Sequence, residues 1–381
     1  MSQFTHLHVA SAYSGHYGVT RPEHLAEATL AMGGDALAIT DRNGLYGSVK
    51  HIGACLELGI APIVGVDLAI LDNTAKPIGR AVVLAHGHNR GVGWTALCQL
   101  VSEANKHGKK QPTGLTIEQL AQLTQRGDQE TGYVATATVL LSPDNPFGRL
   151  ALGASREAAL EALADWSALF SAPGALAIEI TSLLTKPGTE YSTMQAYRIL
   201  ELADSLNIPT VLTNSVRYLS PDDALTADVL DSARHLEALG MFQPQPNAQA
   251  WLKPHRLMVD LAQEICRDYR RAQKLLDTTA ALAARCRLDP VNDCGWGKPK
   301  TPEKSALGID GNPFELLWQR AHEGIHWRYP NLSQAKLQQV QHRLSQELMT
   351  IHKLDFATYF LTVADVAQMI RDMKIRTAAR G

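Results

Sequence analysis

The stretch from Phe4 to Leu68 contains three short apolar runs, which end in His6-Leu7-His8, Ile39-Thr40-Asp41-Arg42 and Val64-Gly65-Val66-Asp67. Each run is too short for a helix and is closed by polar residues, which is typical of buried parallel strands. Two helical patterns separate the runs: Thr20-Arg-Pro-Glu23 predicts a capping box with proline in the first turn, and a second helix spans Leu45 to Leu58. This order predicts an α/β fold whose site lies at the carboxyl ends of the strands.

The same alternation continues beyond Leu68. Further strands are predicted at Arg80–Ala85, Tyr133–Leu141, Ala175–Ile180 and Pro209–Thr213, with helical patterns between them. Strands that alternate with helices in this way favour a closed, distorted barrel. No G-x-G-x-x-G follows the first strand, so the main signal for a dinucleotide-binding sheet is missing from the sequence.

Composition narrows the class of protein. The 381 residues suffice for about two or three domains, and the formal net charge of −2 offers no overall basic field for nucleic acid, so any DNA contact must be local. Five cysteines without CxxC spacing predict a reduced, cytoplasmic protein without a zinc finger. The sequence contains no apolar run long enough for a transmembrane helix, and it enters its first strand without a signal peptide.

The pair His6 and His8 is the first candidate for chemistry. Side chains at i and i+2 of a strand point to the same face, so the two imidazoles are placed to converge on one metal ion. A pair of hydrogen-bonded core histidines is the alternative interpretation.

Several segments carry a resemblance to a known family. They are Phe4-Thr-His-Leu-His-Val-Ala-Ser-Ala-Tyr-Ser14, Ala36-Leu-Ala-Ile-Thr-Asp41, Gly59-Ile-Ala-Pro-Ile-Val-Gly-Val-Asp67, Asn207 to Asp223, and Ile351 to Asp365. In this order they resemble the PHP (polymerase and histidinol phosphatase) domain that opens the alpha subunit of bacterial DNA polymerase III and its error-prone relatives, the C-family DNA polymerases. The resemblance implies a distorted seven-stranded (β/α) barrel followed by a mainly helical segment that begins the polymerase palm.

Active PHP domains hold up to three divalent ions, and the resemblance implies where their ligands would lie in this chain. His6 and His8 are kept, and Asp67 stands where a glutamate is expected. The remaining positions are changed and form a degenerate site: Tyr17, Asp41, Arg42, Arg80, Ser215 and Arg217.

The arginines favour a site without metal. A guanidinium cannot ligate a metal ion and stays charged, so Arg42, Arg80 and Arg217 would repel a dication. We expect them to take the place of the metals by pairing with Asp41 and Asp67. The barrel would then be a structural, partner-docking remnant of a phosphoesterase, with His6, His8 and Asp67 as vestigial ligands.

The resemblance also implies the domain organisation. We expect a PHP-like barrel over residues 1–285, a connector over 286–311, and the helical start of the palm over 312–381. In the family, an Arg-Gly-Ser sequence here begins the loop that holds the nucleotide triphosphate, and Arg380 and Gly381 match its first two positions. The catalytic carboxylates would lie beyond residue 381, so we expect a fragment that does not polymerise by itself.

Three functions remain open from the sequence. The first is the N-terminal part of a DNA-directed DNA polymerase for replication or translesion repair. The full-length enzyme would use Mg²⁺, DNA and dNTPs, and would bind a sliding clamp and other replisome or mutasome proteins. The second is an active, metal-dependent PHP phosphoesterase or 3′–5′ exonuclease with Mn²⁺ or Zn²⁺. The third is an interaction module without catalysis.

Overall fold

The structure, a computed structural model, describes residues 3–108, 112–128, 132–153, 155–239 and 241–376. It divides into two compact units, the first ending at Trp296 and the second beginning at Gly297. This boundary lies inside the predicted connector. The first unit contains the strands and the second contains helices, so the expected α/β fold with a helical C-terminal part is confirmed.

Strands and helices alternate along the first unit. Its described strands are β1 (Ala36–Arg42), β2 (Ala61–Leu71), β3 (Pro77–Ala85), β4 (Gly114–Leu115), β5 (Gln125–Asp128), β6 (Gly132–Ala135), β7 (Ala137–Leu141), β8 (Leu176–Thr181) and β9 (Thr210–Thr213). Its described helices are α1 (Pro22–Ala31), α2 (Ser48–Leu58), α3 (Val92–Ala104), α4 (Ile117–Thr124), α5 (Pro146–Leu150), α6 (Arg156–Ser167), α7 (Thr193–Ser205), α8 (Ala224–His235), α9 (His255–Cys266), α10 (Tyr269–Cys286) and α11 (Pro290–Cys294).

The second unit is helical in its described part, with α12 (Pro313–Arg328), α13 (Gln334–Lys353) and α14 (Ala357–Asp372). A small core holds these helices together, formed by Leu317, Leu348, Ala357 and Leu361. Within the described ranges of both units, no helix combines the length and the apolar character that crossing a bilayer requires.

One curved sheet organises the first unit. Its strands follow the order β1, β2, β3, β7, β8, β9, and β4 adds a short parallel pairing to β2. The sheet therefore has seven strands, but they differ from the seven predicted strands. The predicted first strand is absent as a regular strand, and the predicted strand Tyr133–Leu141 is two: β6 pairs with β5, and β7 lies in the main sheet.

The N-terminal segment joins the two edges of this sheet. On one side, the carbonyls of His6 and Val9 accept hydrogen bonds from amides of β1. On the other side, the His8 carbonyl accepts from the amide of Val216, which follows β9. These bonds are too few and too irregularly spaced to form a continuous ladder, so the segment is not a regular strand. It nevertheless gives the sheet its distorted barrel form.

Strand β3 runs antiparallel to both of its neighbours, β2 and β7, whereas the apolar runs predict parallel pairing. The connection from β2 to β3 is a tight turn in which the Asp72 carboxylate accepts hydrogen bonds from the amides of Thr74 and Lys76. A turn of this length reverses the chain and is too short for a parallel crossover.

The predicted capping box at the start of α1 is wrong. The N-cap residue is Arg21, and no side chain caps the helix, although Pro22 does lie in its first turn. Thr20 lies one position too early to cap, and its backbone carbonyl accepts a hydrogen bond from the amide of Ala12 instead.

Candidate functional site

The inward-facing side chains of the sheet form an apolar layer with a polar layer above it. Ile63, Val82, Ala177 and Val211 belong to a buried cluster that includes residues of α10. Strand side chains alternate between faces, so residues two or four positions away share the inward face. The polar residues that continue these inward positions are Asp67 in the second half of β2, Glu179 in the second half of β8 and Thr213 at the end of β9. Arg80, in the first half of the antiparallel β3, joins them.

Asp67 is the centre of this polar layer. Arg42 Nε donates to its Oδ2 at 3.1 Å, and Arg80 Nε donates to its Oδ1 at 2.7 Å. Arg80 also donates through Nη2 to the backbone carbonyl of Asp67 at 2.8 Å and to Asn43 at 3.1 Å. Burial alone would raise the pKa of the Asp67 carboxyl, but the two guanidiniums and His8 outweigh it, and the pKa is lowered. The carboxylate is therefore held in its ionised form by arginine.

His8 forms a buried pair with Glu179, a residue that the sequence reasoning missed. His8 Nδ1 donates to Glu179 Oε1 at 2.6 Å, and its Nε2 lies 4.0 Å from Asp67 Oδ2. Burial favours the neutral ring, but the carboxylate of Glu179, followed by that of Asp67, raises the pKa of His8. Ser215 Oγ lies 3.2 Å from His8 Nδ1. The two carboxylates thus favour the protonated form of His8.

Glu179 is fully buried, and both of its carboxylate oxygens accept hydrogen bonds. The hydroxyls of Ser142 and Thr213 donate to its carboxylate in addition to His8. Burial alone would raise the pKa of Glu179, but His8 and these hydroxyl groups lower it. The available signal in the sequence was a single carboxylate within the strand Leu176–Thr181, whose other residues are apolar except for the terminal threonine.

His6 points away from this arrangement. Its Nε2 donates to the backbone carbonyl of Lys253 at 2.8 Å, and its Nδ1 has no hydrogen-bond partner among the described residues. Burial lowers the pKa of His6 to about 4, so the ring is neutral near neutral pH. His6 bonds to Lys253 and His8 bonds to Glu179, so the two imidazoles do not converge on one partner.

Asp41 is not paired with arginine, so that part of the predicted electrostatic substitution is wrong. Its carboxylate accepts hydrogen bonds from the amide and hydroxyl of Ser11, the hydroxyl of Ser14 and the amide of Gly47. The physical reason is the period of the strand: Asp41 and Arg42 are neighbours on β1, so their side chains leave opposite faces of the sheet. Asp41 fixes the loop that carries Tyr17 rather than the arginines.

Tyr17 lies between two of the predicted arginines. The guanidinium carbon of Arg42 is 3.3 Å from the centre of its ring and that of Arg217 is 4.0 Å away, which are cation–π distances. Arg217 also pairs with Asp231 at 2.9 Å, a carboxylate that it shares with Arg234. These groups border a cleft of about 1010 Å³ whose walls are residues 183–191 and 243–250.

The donor set around Asp67 does not fit a divalent metal ion. Both carboxylate oxygens already accept from guanidinium groups, and a dication about 4 Å from one such charge would meet a repulsion of about 8 kcal/mol at an effective dielectric of about 20. Asp144 does not compensate, because burial and then the charge of Asp67 raise its pKa to about 6. In the described part of the chain, no three histidine, cysteine or carboxylate side chains form a group that could hold a metal ion.

The second predicted site, the phosphate contacts of Arg380 and Gly381, lies outside the described residues. Among the described residues, the structure brings together seven positions singled out from the sequence into two clusters that share Arg42. The first is His8, Asp67, Arg42, Arg80 and Ser215, and the second is Tyr17, Arg217 and Arg42; Asp41 supports the second from the opposite face of β1.

Comparison with known families finds matches in two separate segments of the chain. Residues 6–182 match the PHP domain, and residues 315–381 match the bacterial DNA polymerase III alpha NTPase domain. A solved amidohydrolase from Chromobacterium violaceum aligns with 56% of this chain and 87% of its own length at 14% identity, with a TM-score of 0.36.

Curated relatives align along almost the whole chain. The error-prone DNA polymerase of Symbiobacterium thermophilum is 28% identical over 99% of this chain, and the DNA polymerase III subunit alpha of Xylella fastidiosa is 26% identical over 96%. The alignments cover 33% and 30% of these two relatives, so the chain spans about a third of their length. The chain is therefore similar along almost its whole length to bacterial DNA polymerase III alpha subunits and error-prone DNA polymerases, and it matches the PHP domain and then the alpha NTPase domain in two separate segments.

Proposed function

We propose that this chain is the N-terminal part of a C-family DNA-directed DNA polymerase and that its PHP barrel acts as a metal-free structural domain. The barrel would span residues 1–285, residues 286–311 would connect it to the palm, and residues 312–381 would begin the palm. The proposal combines the order of the two family matches with the chemistry of the strand ends.

One observation carries the metal-free part of the proposal: the carboxylate of Asp67 accepts from Arg42 and Arg80 at once. In an active phosphoesterase, a bound metal ion would activate water for attack on phosphorus. Here the guanidiniums instead neutralise the carboxylate and hold β1, β2 and β3 together at their site ends. The same strands contribute apolar side chains to the buried core. The cluster would therefore support the fold without supplying a nucleophile.

The activity of the full-length polymerase follows from the relatives and belongs to the proposal. Such an enzyme would take DNA and dNTPs and use Mg²⁺ held by palm carboxylates. Arg380 and Gly381 would contact the triphosphate, and a sliding clamp with other replisome or mutasome proteins would be its partners. We place it in the cytoplasm, in keeping with five cysteines that are all unpaired as free thiols in the structure.

Nuclease and primer-extension assays of the purified chain test this proposal. We expect no cleavage of single-stranded DNA or of a phosphomonoester with Mn²⁺ or Zn²⁺, and no primer extension with Mg²⁺. The matched control is His8→Ala, which removes the ring that a metal site would need. Metal-stimulated cleavage that the His8→Ala change abolishes would replace the structural role with an active phosphoesterase or 3′–5′ exonuclease. If the chain shows no such activity but binds other proteins, the structural and docking role stands.

A further inference from the structure

The cleft of about 1010 Å³ beside Tyr17 is bordered by two shielded cations. Arg42 and Arg217 line it together with the hydroxyl-bearing side chain of Ser215, and residues 183–191 and 243–250 complete its walls. The side chain of Arg42 is 24% exposed and that of Arg217 is 8% exposed, so both guanidiniums are withdrawn from bulk water. All of these residues belong to the first unit, so the cleft is a recess of that unit alone.

The ion pairs at this cleft contain more cations than anions. Four guanidiniums share two carboxylates, in the pairs Arg42–Asp67, Arg80–Asp67, Arg217–Asp231 and Arg234–Asp231. His8 and Glu179 form a further pair that has no net charge when the ring is protonated. The carboxyl groups of Asp41 and Asp144 form no ion pair with these arginines in the described chain, and burial raises the pKa of both. The paired groups therefore leave two positive charges over, and their complement is an anion.

The two arginines that line the cleft still have nitrogens without an acceptor. Nη1 of Arg217 pairs with Asp231 and Nη2 donates to the carbonyl of Tyr17, but its buried Nε has no partner among the described residues. Arg42 donates to Asp67 through Nε, and no described residue accepts a hydrogen bond from its two terminal nitrogens. A buried donor that lacks an acceptor costs about 1 to 3 kcal/mol, so a ligand that supplies oxygen atoms here would bind favourably.

A phosphate group has the charge and the oxygens that these donors require. Guanidinium groups bind phosphate through paired N–H bonds, and a phosphomonoester carries about two negative charges near neutral pH. Small-molecule sites occupy about 300 to 1,000 Å³, so this cleft also has room for the group that a phosphate esterifies. The exposed Lys186 and Glu190 at the rim are of opposite charge, so the shielded arginines determine the sign of the ligand.

We propose that this cleft binds a phosphate group, either free or at the end of a small phosphomonoester, through Arg42, Arg217 and Ser215 and without a metal ion. The inference rests on the metal-free barrel of the proposed function and adds a ligand to it. Arg42 ends β1, whereas Ser215 and Arg217 follow β9, so the ligand would bridge two separate parts of the barrel. Binding should therefore also raise the temperature of unfolding.

Isothermal titration calorimetry of the whole 381-residue chain tests the site, in EDTA, at low salt and near neutral pH. The ligands are inorganic phosphate, thymidine 5′-monophosphate and, as the control without a phosphate, thymidine. We expect saturable binding of both phosphate compounds and none of thymidine. Equal affinities would support a site for free phosphate, and tighter binding of the nucleotide would support a site for a phosphomonoester.

Arginine variants test whether the bound phosphate lies in the cleft. Arg42→Met and Arg217→Met should each weaken binding by about tenfold or more, which corresponds to about 1.4 kcal/mol. The matched control is Arg271→Met, which removes an arginine that pairs with Asp204 and does not line the cleft, and it should leave binding unchanged. Circular dichroism checks the folding of each variant. Ser215→Ala is a smaller change that should weaken binding about threefold, and it keeps the test decisive if an arginine variant does not fold.

Three results would overturn the inference. If neither phosphate compound binds in EDTA, the site does not exist, and the metal-free barrel is unaffected. Binding that folded Arg42→Met, Arg217→Met and Ser215→Ala all leave unchanged would reveal an adventitious ion only. Binding that appears only when Mn²⁺ replaces EDTA would overturn the inference and would also count against the metal-free barrel, so the two failures are distinguishable.

Discussion

Replacing Arg80 with methionine tests how the arginines stabilise the strand ends. Methionine keeps most of the aliphatic length of arginine and removes the guanidinium. The Arg80 side chain makes three hydrogen bonds, of which the bond to the Asp67 carboxylate is charged at both ends. Its side chain is 20% exposed and that of Asp67 is 2% exposed, so the pair is mostly shielded from water.

The expected loss of unfolding free energy is about 3 kcal/mol. Removing one partner of a buried ion pair costs about 3 to 5 kcal/mol, because the remaining charge is left uncompensated. Arg42 still contacts the other oxygen of Asp67, which places the estimate at the lower end of that range. Urea denaturation near neutral pH, followed by far-UV circular dichroism, measures this loss directly.

Lys106→Met is the matched control, since Lys106 pairs with Glu103 on the surface at 3.2 Å and such pairs contribute less than about 1 kcal/mol. A double-mutant cycle with Asp67→Asn isolates the Arg80 interaction, and we expect a coupling of about 2 kcal/mol. If Arg80→Met costs no more than Lys106→Met, the guanidinium does not compensate Asp67 and the reasoning is refuted.

Four further changes probe the rest of the cluster. Glu179→Gln should lower the pKa of His8, which Glu179 raises, and proton NMR of the imidazole would detect the shift; an unchanged titration would contradict the pairing. Because the pKa of His8 is raised in the folded state, its contribution is fully present below about pH 6.5 and is lost as pH rises through the folded pKa, so His8→Gln should destabilise more at mildly acidic than at alkaline pH. Asp41→Ala should cost about 3 kcal/mol in thermal unfolding by leaving the donors of Ser11 and its neighbours unpaired, and a loss below about 1 kcal/mol would argue against that role. Tyr17→Leu should destabilise by about 1 to 2 kcal/mol more than Tyr17→Phe, which keeps the ring between the guanidiniums, and equal losses would remove the cation–π contribution.

Most of the fold was predictable because the strands carry strong local signals. The runs that became β1 and β2 are nearly all apolar and end in polar residues, and the structure buries them along almost their whole length. The irregular conformation of the N-terminal segment could not be predicted from the sequence. It depends on hydrogen bonds to β1 and to Val216, which are far apart in sequence. The antiparallel direction of β3 was accessible in principle, because the turn at Asp72 is too short for a crossover.

The site was predictable in composition but only partly in geometry. The prediction that Asp41 pairs with an arginine could have been avoided from the sequence alone. Side chains alternate between the two faces of a strand, so the neighbours Asp41 and Arg42 cannot both face the same site. Glu179 could not be found in this way. Its role depends on β8 lying across the barrel from His8, which is a tertiary relation that no local pattern contains.

Elemental analysis of the purified chain tests the central claim most directly. The chain would be incubated with Mn²⁺ and Zn²⁺ and desalted, and the bound metal compared with that of the His8→Ala variant. We expect less than about a tenth of an equivalent of either ion in both proteins, since both carboxylate oxygens of Asp67 already accept hydrogen bonds from guanidinium groups. One or more equivalents in the unaltered chain that His8→Ala removes would contradict it, and would show that the arginines do not exclude metal from the barrel.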